Sequence, residues 1–301
     1  MTISAEIKAG VSGRSAPGGT SQSAIIWSQF RRHHLALGGS TVLLLLFLAA
    51  LLAPVVSPYD PNAVDTALAH GYPQPPSAQH WLGTDELGRD GLARLLSGAR
   101  ISLSVGFVAV GISIIVGVIL GSLAGYSGGH VDNLVSRIID VFLSVPSFFL
   151  ILTANAYLQP SIYNTMAVIG LFGWMQVARL VRAQFLGLKE KDFVVAAHMV
   201  GVPGLRLVTR HLLPNALAPV IVAATLCIPG AILTESALSF LGMGVQPPQS
   251  SWGSMLQNAQ GWLTTSWWMW VPPGAAISIT VLAFNFVGDG LRDALDQFLR
   301  Q

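Results

Sequence analysis

Six separated runs of mainly apolar residues constrain this chain more than any other feature. They cover residues 35–56, 101–126, 134–158, 166–188, 216–241 and 271–287. Each is close to the roughly 20 residues that an α-helix needs to cross bilayer hydrocarbon. Hydrocarbon offers no partner to a free peptide group, so runs of this length satisfy their backbones as helices. The pattern predicts an all-α integral membrane protein with six transmembrane helices. Composition agrees: of 301 residues, 52% are hydrophobic and 10% charged, against about 25% charged in an ordinary soluble domain. The third and fourth runs are marked by charge, with Arg137 and Asp140 near the start of one and Arg179 and Arg182 near the end of the other.

Cation placement orients the spans. Lys8, Arg14, Arg31, Arg32, Arg137, Arg179, Arg182, Lys189, Lys191, Arg206, Arg210, Arg292 and Arg300 fall on one side, leaving Arg89, Arg94 and Arg100 on the other. The positive-inside rule makes the first side cytoplasmic, so both termini are expected in the cytoplasm. Residues 1–23 are rich in Gly, Ser, Ala and Thr and read as a flexible tail. The basic cluster Arg31–Arg32–His33–His34 precedes an apolar run without a convincing cleavage site, which argues against a secretory signal. Residues 24–57 hold the first span, 58–98 form a Pro-rich outer loop, 99–296 form the main membrane domain and 297–301 a short tail. Within the outer loop, ELGRDGLARLLSGAR carries the three outer arginines, and Leu92, Leu95 and Leu96 share one helical face. This predicts an amphipathic helix lying at the outer interface, its charge partly offset by Asp85, Glu86 and Asp90.

Between the fourth and fifth runs lies KEKDFVVAAHMVGVPGLRLVTRHLLPNALAP. A simple turn takes a handful of residues; this polar, cationic insert takes about two dozen. One helix is expected over 190–202, with Ala196 and Ala197 together on it. Gly201, Val202, Pro203 and Gly204 form a breaker, a second short helix covers 205–212, and Pro214 sits in the first turn of span five. Paired alanines let a partner approach the backbone, so the insert reads as a docking element for a soluble protein.

The remaining candidates are weighed by chemistry. Gly117, Gly121 and Gly125 make consecutive small-xxx-small steps, which favour close helix packing. Asp140 and Glu235 are intramembrane carboxylates and hence functional candidates. Asp140 lies three residues after Arg137 and is expected to pair with it; Glu235 faces either a translocation path or a helix interface. Trp252, Trp262, Trp267, Trp268 and Trp270 crowd the uncharged segment 242–273 and suggest an outer interfacial belt, or a surface at an outer gate. Cys227 reads as a packed small residue, and His70 and His80 as solvated loop histidines. The chain has no Gly-Lys dipeptide and therefore no Walker A loop, no Gly-x-Ser-x-Gly elbow and no His-Glu-x-x-His helix. A net charge of +2 gives no support for a nucleic-acid partner.

The insert resembles the EAA loop of ABC-importer permeases, in which Glu-Ala-Ala is followed by three residues, Gly, nine residues, Ile, one residue and Leu-Pro. Ala196, Ala197, Gly201, Leu213 and Pro214 fall on that spacing, while Val195 occupies the Glu slot and His211 the Ile slot. HWLGTDELGRDGLARLLSGARISL, SFLGMGVQPPQSSWGSML and AFNFVGDGLRDALD are similar to the C-type permeases of dipeptide and oligopeptide importers. The resemblance implies a type I importer permease with a non-catalytic role. It further implies a second, B-type permease subunit, two ATP-binding subunits that carry ATP and Mg, an extracytoplasmic solute-binding protein and a lipid environment. No cofactor is expected on this chain. Peptides are the implied cargo, with nickel complexes, glutathione or another small solute as alternatives. An ion-coupled secondary transporter using Asp140 or Glu235, and a membrane scaffold without flux, are the competing classes.

Overall fold

The computed structural model describes residues 27–69 and 71–299; the expected tail at 1–23 and His70 lie outside them. Among the described residues the regular structure is helical, apart from one isolated bridge between Thr84 and Asp90. Five helices are long and apolar enough to cross a membrane: α1 (His34–Leu51), α2 (Gly91–Ser127), α5 (Ile162–Lys189), α7 (Gly204–Phe240) and α9 (Trp267–Leu299). The third predicted run is a broken element, α3 (Gly129–Leu143) followed by α4 (Ser147–Tyr157), bent by 83°. Pro146 explains the break. It has no N–H to donate and biases Val145 before it away from helical geometry. Counting that pair as one span gives six. The loop helix α6 (Asp192–Met199) and a short helix α8 (Trp252–Asn258) lie between the long helices, along with single turns at Ala53–Val56 and Gln260–Trp262.

Packing of α2 on α5 is the most extensive helix pair. It works because α2 offers backbone rather than side chain along one face. A Cβ on Gly117 would lie 2.6 Å from Val177 Cβ, one on Gly121 2.5 Å from the Ala178 carbonyl, and one on Gly125 2.6 Å from Phe185 Cβ. The approach is reciprocated at Gly170, where a Cβ would meet Ile112 at 2.7 Å. Lipid tails are as apolar as leucine, so van der Waals contact at short range holds such helices together. Ser113 adds a polar tie by donating to the Gly170 carbonyl at 2.9 Å. On the other side of the bundle, α1 lies against α9, with Gly39 facing the Ala283 carbonyl and Gly290 facing Ala36.

Three expectations change. Arg94 and Arg100 lie in the first part of α2 and Arg89 just before its cap, so the segment forms no separate amphipathic helix. Arg89 and Arg94 are buried because Asp85 is buried with them. Its Oδ2 accepts from Arg89 Nε at 2.7 Å and lies 3.5 Å from Arg94 Nε, while its Oδ1 accepts the Leu87 and Arg89 amides. His80 is not a solvated loop residue either. Its Nδ1 sits 2.9 Å from Asp90 Oδ2, and the other oxygen of Asp90 caps α2 by accepting from the Ala93 amide at 2.7 Å. Finally, 205–212 is not a free-standing short helix but the foot of α7. A π-turn over Val208–Leu212 precedes Pro214, and Leu213 donates to the Val208 carbonyl five residues back. The widened turn lets the chain stay helical through a residue that lacks an N–H.

The glycine stripe predicts a position-specific sensitivity. Gly121→Leu should lower the detergent-solubilised protein's thermal midpoint by the equivalent of about 1–3 kcal/mol, the usual magnitude for overpacking. Gly111→Ala, where a Cβ meets nothing within 4 Å, should leave it unchanged. Differential scanning fluorimetry on both variants checks this.

Candidate functional site

Two regions concentrate unusual chemistry. The first is the loop between α5 and α7. Lys191 and Asp192 open α6, and the helix ends where Gly201 adopts a φ of +82°, a left-handed conformation that β-branched residues strongly resist. The turn is closed by backbone bonds from Gly201 to the His198 carbonyl at 3.0 Å and from Val202 to the Ala197 carbonyl at 3.1 Å. The predicted 190–202 helix is therefore shorter at both ends. Below it, buried Val194, Leu207, Leu212, Ala216 and Phe185 form one apolar cluster, against which Ala197, Val202 and Leu213 pack. The loop is thus seated on the adjoining ends of α5 and α7 by its own core.

The outward face is different. Ala196, Val195 and His198 are exposed, as is Pro214, whereas Ala197, His211 and Leu213 are half-buried. Met199, Val200 and Leu205 are 85%, 84% and 78% exposed. Beside them a cavity of about 520 Å³ opens between α6 and the foot of α2, lined by Tyr126, Lys189, Val194, His198 and Met199 among others. A cluster of large apolar side chains on an otherwise polar loop marks an interaction surface. Alanine at 196 keeps the centre of that surface low. Val195, in the slot where the resembling loops carry Glu, is 47% exposed and adds apolar area there instead of charge.

The second region surrounds Glu235 of α7. Its side chain is fully buried between α2 and α7. Ser239 donates to Oε1 at 2.7 Å, and Ser102 of α2 donates to Oε2 at 3.2 Å, with Ser236 at 3.5 Å. Ser251, the N-cap of α8, reaches Ser239 at 3.3 Å, and the Trp252 amide donates to Ser102. One carboxylate therefore gathers α2, α7 and α8. Buried polar groups are stable when every member is satisfied, and fully bonded networks fix one geometry. Trp252, expected in the interfacial belt, is instead buried and donates its Nε1 to the Leu95 carbonyl; Trp267 and Trp270 remain exposed.

Asp140 is a further correction. It bonds Arg179 of α5 at 2.8 Å rather than Arg137, and Arg182 of α5 bonds Asp132 of α3 through both Nε and Nη2. These pairs tie α3 to α5 across the helix boundary; the Asp140 pair is more than half exposed and so contributes little to stability. Between the two regions, α2, α4, α5 and α7 enclose a cavity of about 260 Å³ whose lining includes Ser113, Ser147, Gln176, Cys227 and Thr234 and no charged side chain. Among the described residues no group of three His, Cys, Asp or Glu is placed to hold a metal ion. The serines around Glu235 carried no sequence signal beyond being polar residues in or beside apolar runs, and Ser102 finds its partners more than 100 positions along the chain.

Comparison with known proteins gives consistent results. Residues 117–301 match the binding-protein-dependent transport system inner membrane component family, and residues 21–76 match the N-terminal TM domain of oligopeptide transport permease C. The chain is 44% identical over 282 residues to the di/tripeptide transport system permease protein DppC of Pseudomonas aeruginosa, covering 91% of each. It is 40% identical to the oligopeptide transport system permease protein OppC of Bacillus subtilis, covering 91% of this chain and 88% of that one. The fold is similar to that in an inward-facing methionine ABC transporter structure, with TM-score 0.54 and 20% identity, over 67% of this chain and 96% of that one.

Glu235→Leu should leave three hydroxyls without their acceptor and lower stability by about 3 kcal/mol, as removing one partner of a buried network does. Glu235→Gln, which keeps an acceptor oxygen, should lose less than half of that. Thermal melts of the purified subunit in detergent read both.

Proposed function

Since the chain belongs to the binding-protein-dependent transport system inner membrane components, we propose that it is one membrane subunit of an ATP-driven importer that carries di- or oligopeptides across the cytoplasmic membrane. The observation that carries this is the loop: α6 is seated on α5 and α7 by a buried core while presenting Met199, Val200 and Leu205 outward. A seat without an outward face would be plain packing, and an apolar face without a seat would transmit nothing. Both together suit a soluble partner that pushes on the spans.

Both termini lie in the cytoplasm, with the loop on the same side, as the cation distribution requires. The pore is completed by a second, B-type permease, two ATP-binding subunits dock from the cytoplasm, and a solute-binding protein delivers cargo from outside. This chain binds no cofactor and performs no hydrolysis; ATP and Mg are held by the docked subunits. Closure of those subunits moves α6, and with it the feet of α5 and α7. The bundle then exchanges inward- and outward-open states according to which one the nucleotide favours. The uncharged, weakly polar cavity among α2, α4, α5 and α7 suits cargo recognised through its backbone rather than one fixed charge. Names of relatives in this family, including a dipeptide permease from Bacillus subtilis and a probable D,D-dipeptide permease from Escherichia coli, support peptides as the class.

Reconstitution into proteoliposomes with its partner subunits tests this: peptide uptake should require ATP and the binding protein. Uptake that survives ATP depletion and collapses with the ion gradient, or complete absence of flux, overturns it. Ala196→Glu, at an exposed position, should leave insertion and melting unchanged and reduce uptake by about ten-fold, equivalent to about 1.4 kcal/mol of docking. Ala197→Glu and Gly201→Val should lose uptake as well. The second forces a β-branched residue into a φ of +82°.

A further inference from the structure

The loop is covalently joined to α5 and α7, but not to α2. Motion of α6 reaches α2 through contacts alone, and at the level of the loop these converge on its last turn. Lys189, the final residue of α5, donates its Nζ to the Tyr126 carbonyl at 2.9 Å and the Gly125 carbonyl at 3.4 Å. These lie in the last turn of α2, whose terminal carbonyls have no partner within the helix. The same ammonium sits 5.8 Å from the centre of the Tyr126 ring. A cation at this end of a helix is favoured by the helix dipole as well as by its hydrogen bonds.

Tyr126 reaches in the other direction too. A Cβ built on Gly204, the first residue of α7, would lie 2.3 Å from the Tyr126 hydroxyl oxygen, 3.1 Å from Cζ and 3.3 Å from Cε1. A side chain at 204 would press on the end of the Tyr126 ring and displace it, whereas backbone conformation sets no such demand, since among glycines of positive φ in this stretch Gly201 appears and Gly204 does not. The ring also packs against the apolar cluster beneath α6. One side chain thus touches both ends of the loop: the end of α5 through Lys189 and the start of α7 through Gly204.

We propose that Tyr126 and Lys189 form the fastening that makes α2 move with the loop, and so act as positioning residues for coupling between ATP hydrolysis and transport. This rests on the importer reading above. Lys189 anchors α2 to α5 through its orphan carbonyls, and the Tyr126 hydroxyl fills the gap that Gly204 leaves at the root of α7. With both in place, the feet of α2, α5 and α7 shift as one body. With either loosened, the glycine stripe still holds α2 to α5 higher in the bundle, but the last turn of α2 no longer follows the loop.

The test measures peptide transported per ATP hydrolysed in proteoliposomes containing the complete complex, with assembly checked by co-purification of the ATP-binding subunits. Gly204→Ala should lower that ratio by about ten-fold, the order found for substitutions that modulate coupling without touching a ligand, while ATP hydrolysis continues. Adding Tyr126→Phe, which removes the atom at 2.3 Å and leaves the nearest at 3.1 Å, should return the ratio to within about two-fold of the starting protein. Lys189→Met should lower the ratio in the same way and Lys189→Arg should preserve it. These two substitutions decide the matter should Gly204→Ala fail to assemble. A starting ratio in either Gly204→Ala or Lys189→Met, or failure of Tyr126→Phe to restore an assembled Gly204→Ala complex, overturns the fastening. Absence of ATP-driven uptake in the unsubstituted complex overturns the importer reading instead.

Discussion

Close backbone approach between α2 and α5 is the contact on which the rest of this structure depends. In water, helices are driven together by burial of apolar surface, and imperfect packing is tolerated as long as area is removed from solvent. In hydrocarbon that drive is absent, and association comes from dispersion and short polar ties. The glycine stripe from Gly117 to Gly125 lets α5 reach the backbone of α2. This one fit brings the last turn of α2 under Lys189, and the loop with it. The loop is therefore positioned by packing that takes place within the long apolar helices.

Polar interactions are distributed with equal economy. At one end, Asp85 bridges Arg89 and Arg94, and Asp90 caps α2 while holding His80, so the loop before α2 is tied to the first turns of the helix. Near that end, Glu235 collects hydroxyls from α2 and α7, linked through Ser239 to the cap of α8. At the other end, Arg179 and Arg182 hold α3 against α5. Buried charges that lose a partner are expensive, so each network fixes a relative placement of elements that apolar packing alone would leave free to slide.

Between these two ends lies a weakly polar cavity without charge. The broken α3–α4 element borders this cavity, consistent with the general rule that helix breaks at membrane depth occur where they line a cavity or are buried in protein.

Much of this was legible in the chain itself. Length of the apolar runs determined the helical class, because hydrocarbon permits no unpaired backbone. The spacing of Ala196, Ala197, Gly201, Leu213 and Pro214 located the loop, because each does a local job: small size, a left-handed turn, a tolerated proline. What the sequence did not decide were choices among partners. Asp140 had an arginine three residues away and bonds another 39 residues away; Trp252 looked interfacial and is buried; Arg94 was expected on an interfacial helix and is enclosed. Glu235 gave no hint of its partner, and Ser102, 133 positions earlier, donates to it. Local propensity and hydropathy are properties of a segment, whereas the partner of a charge or an indole is set by which segments the packed bundle brings together.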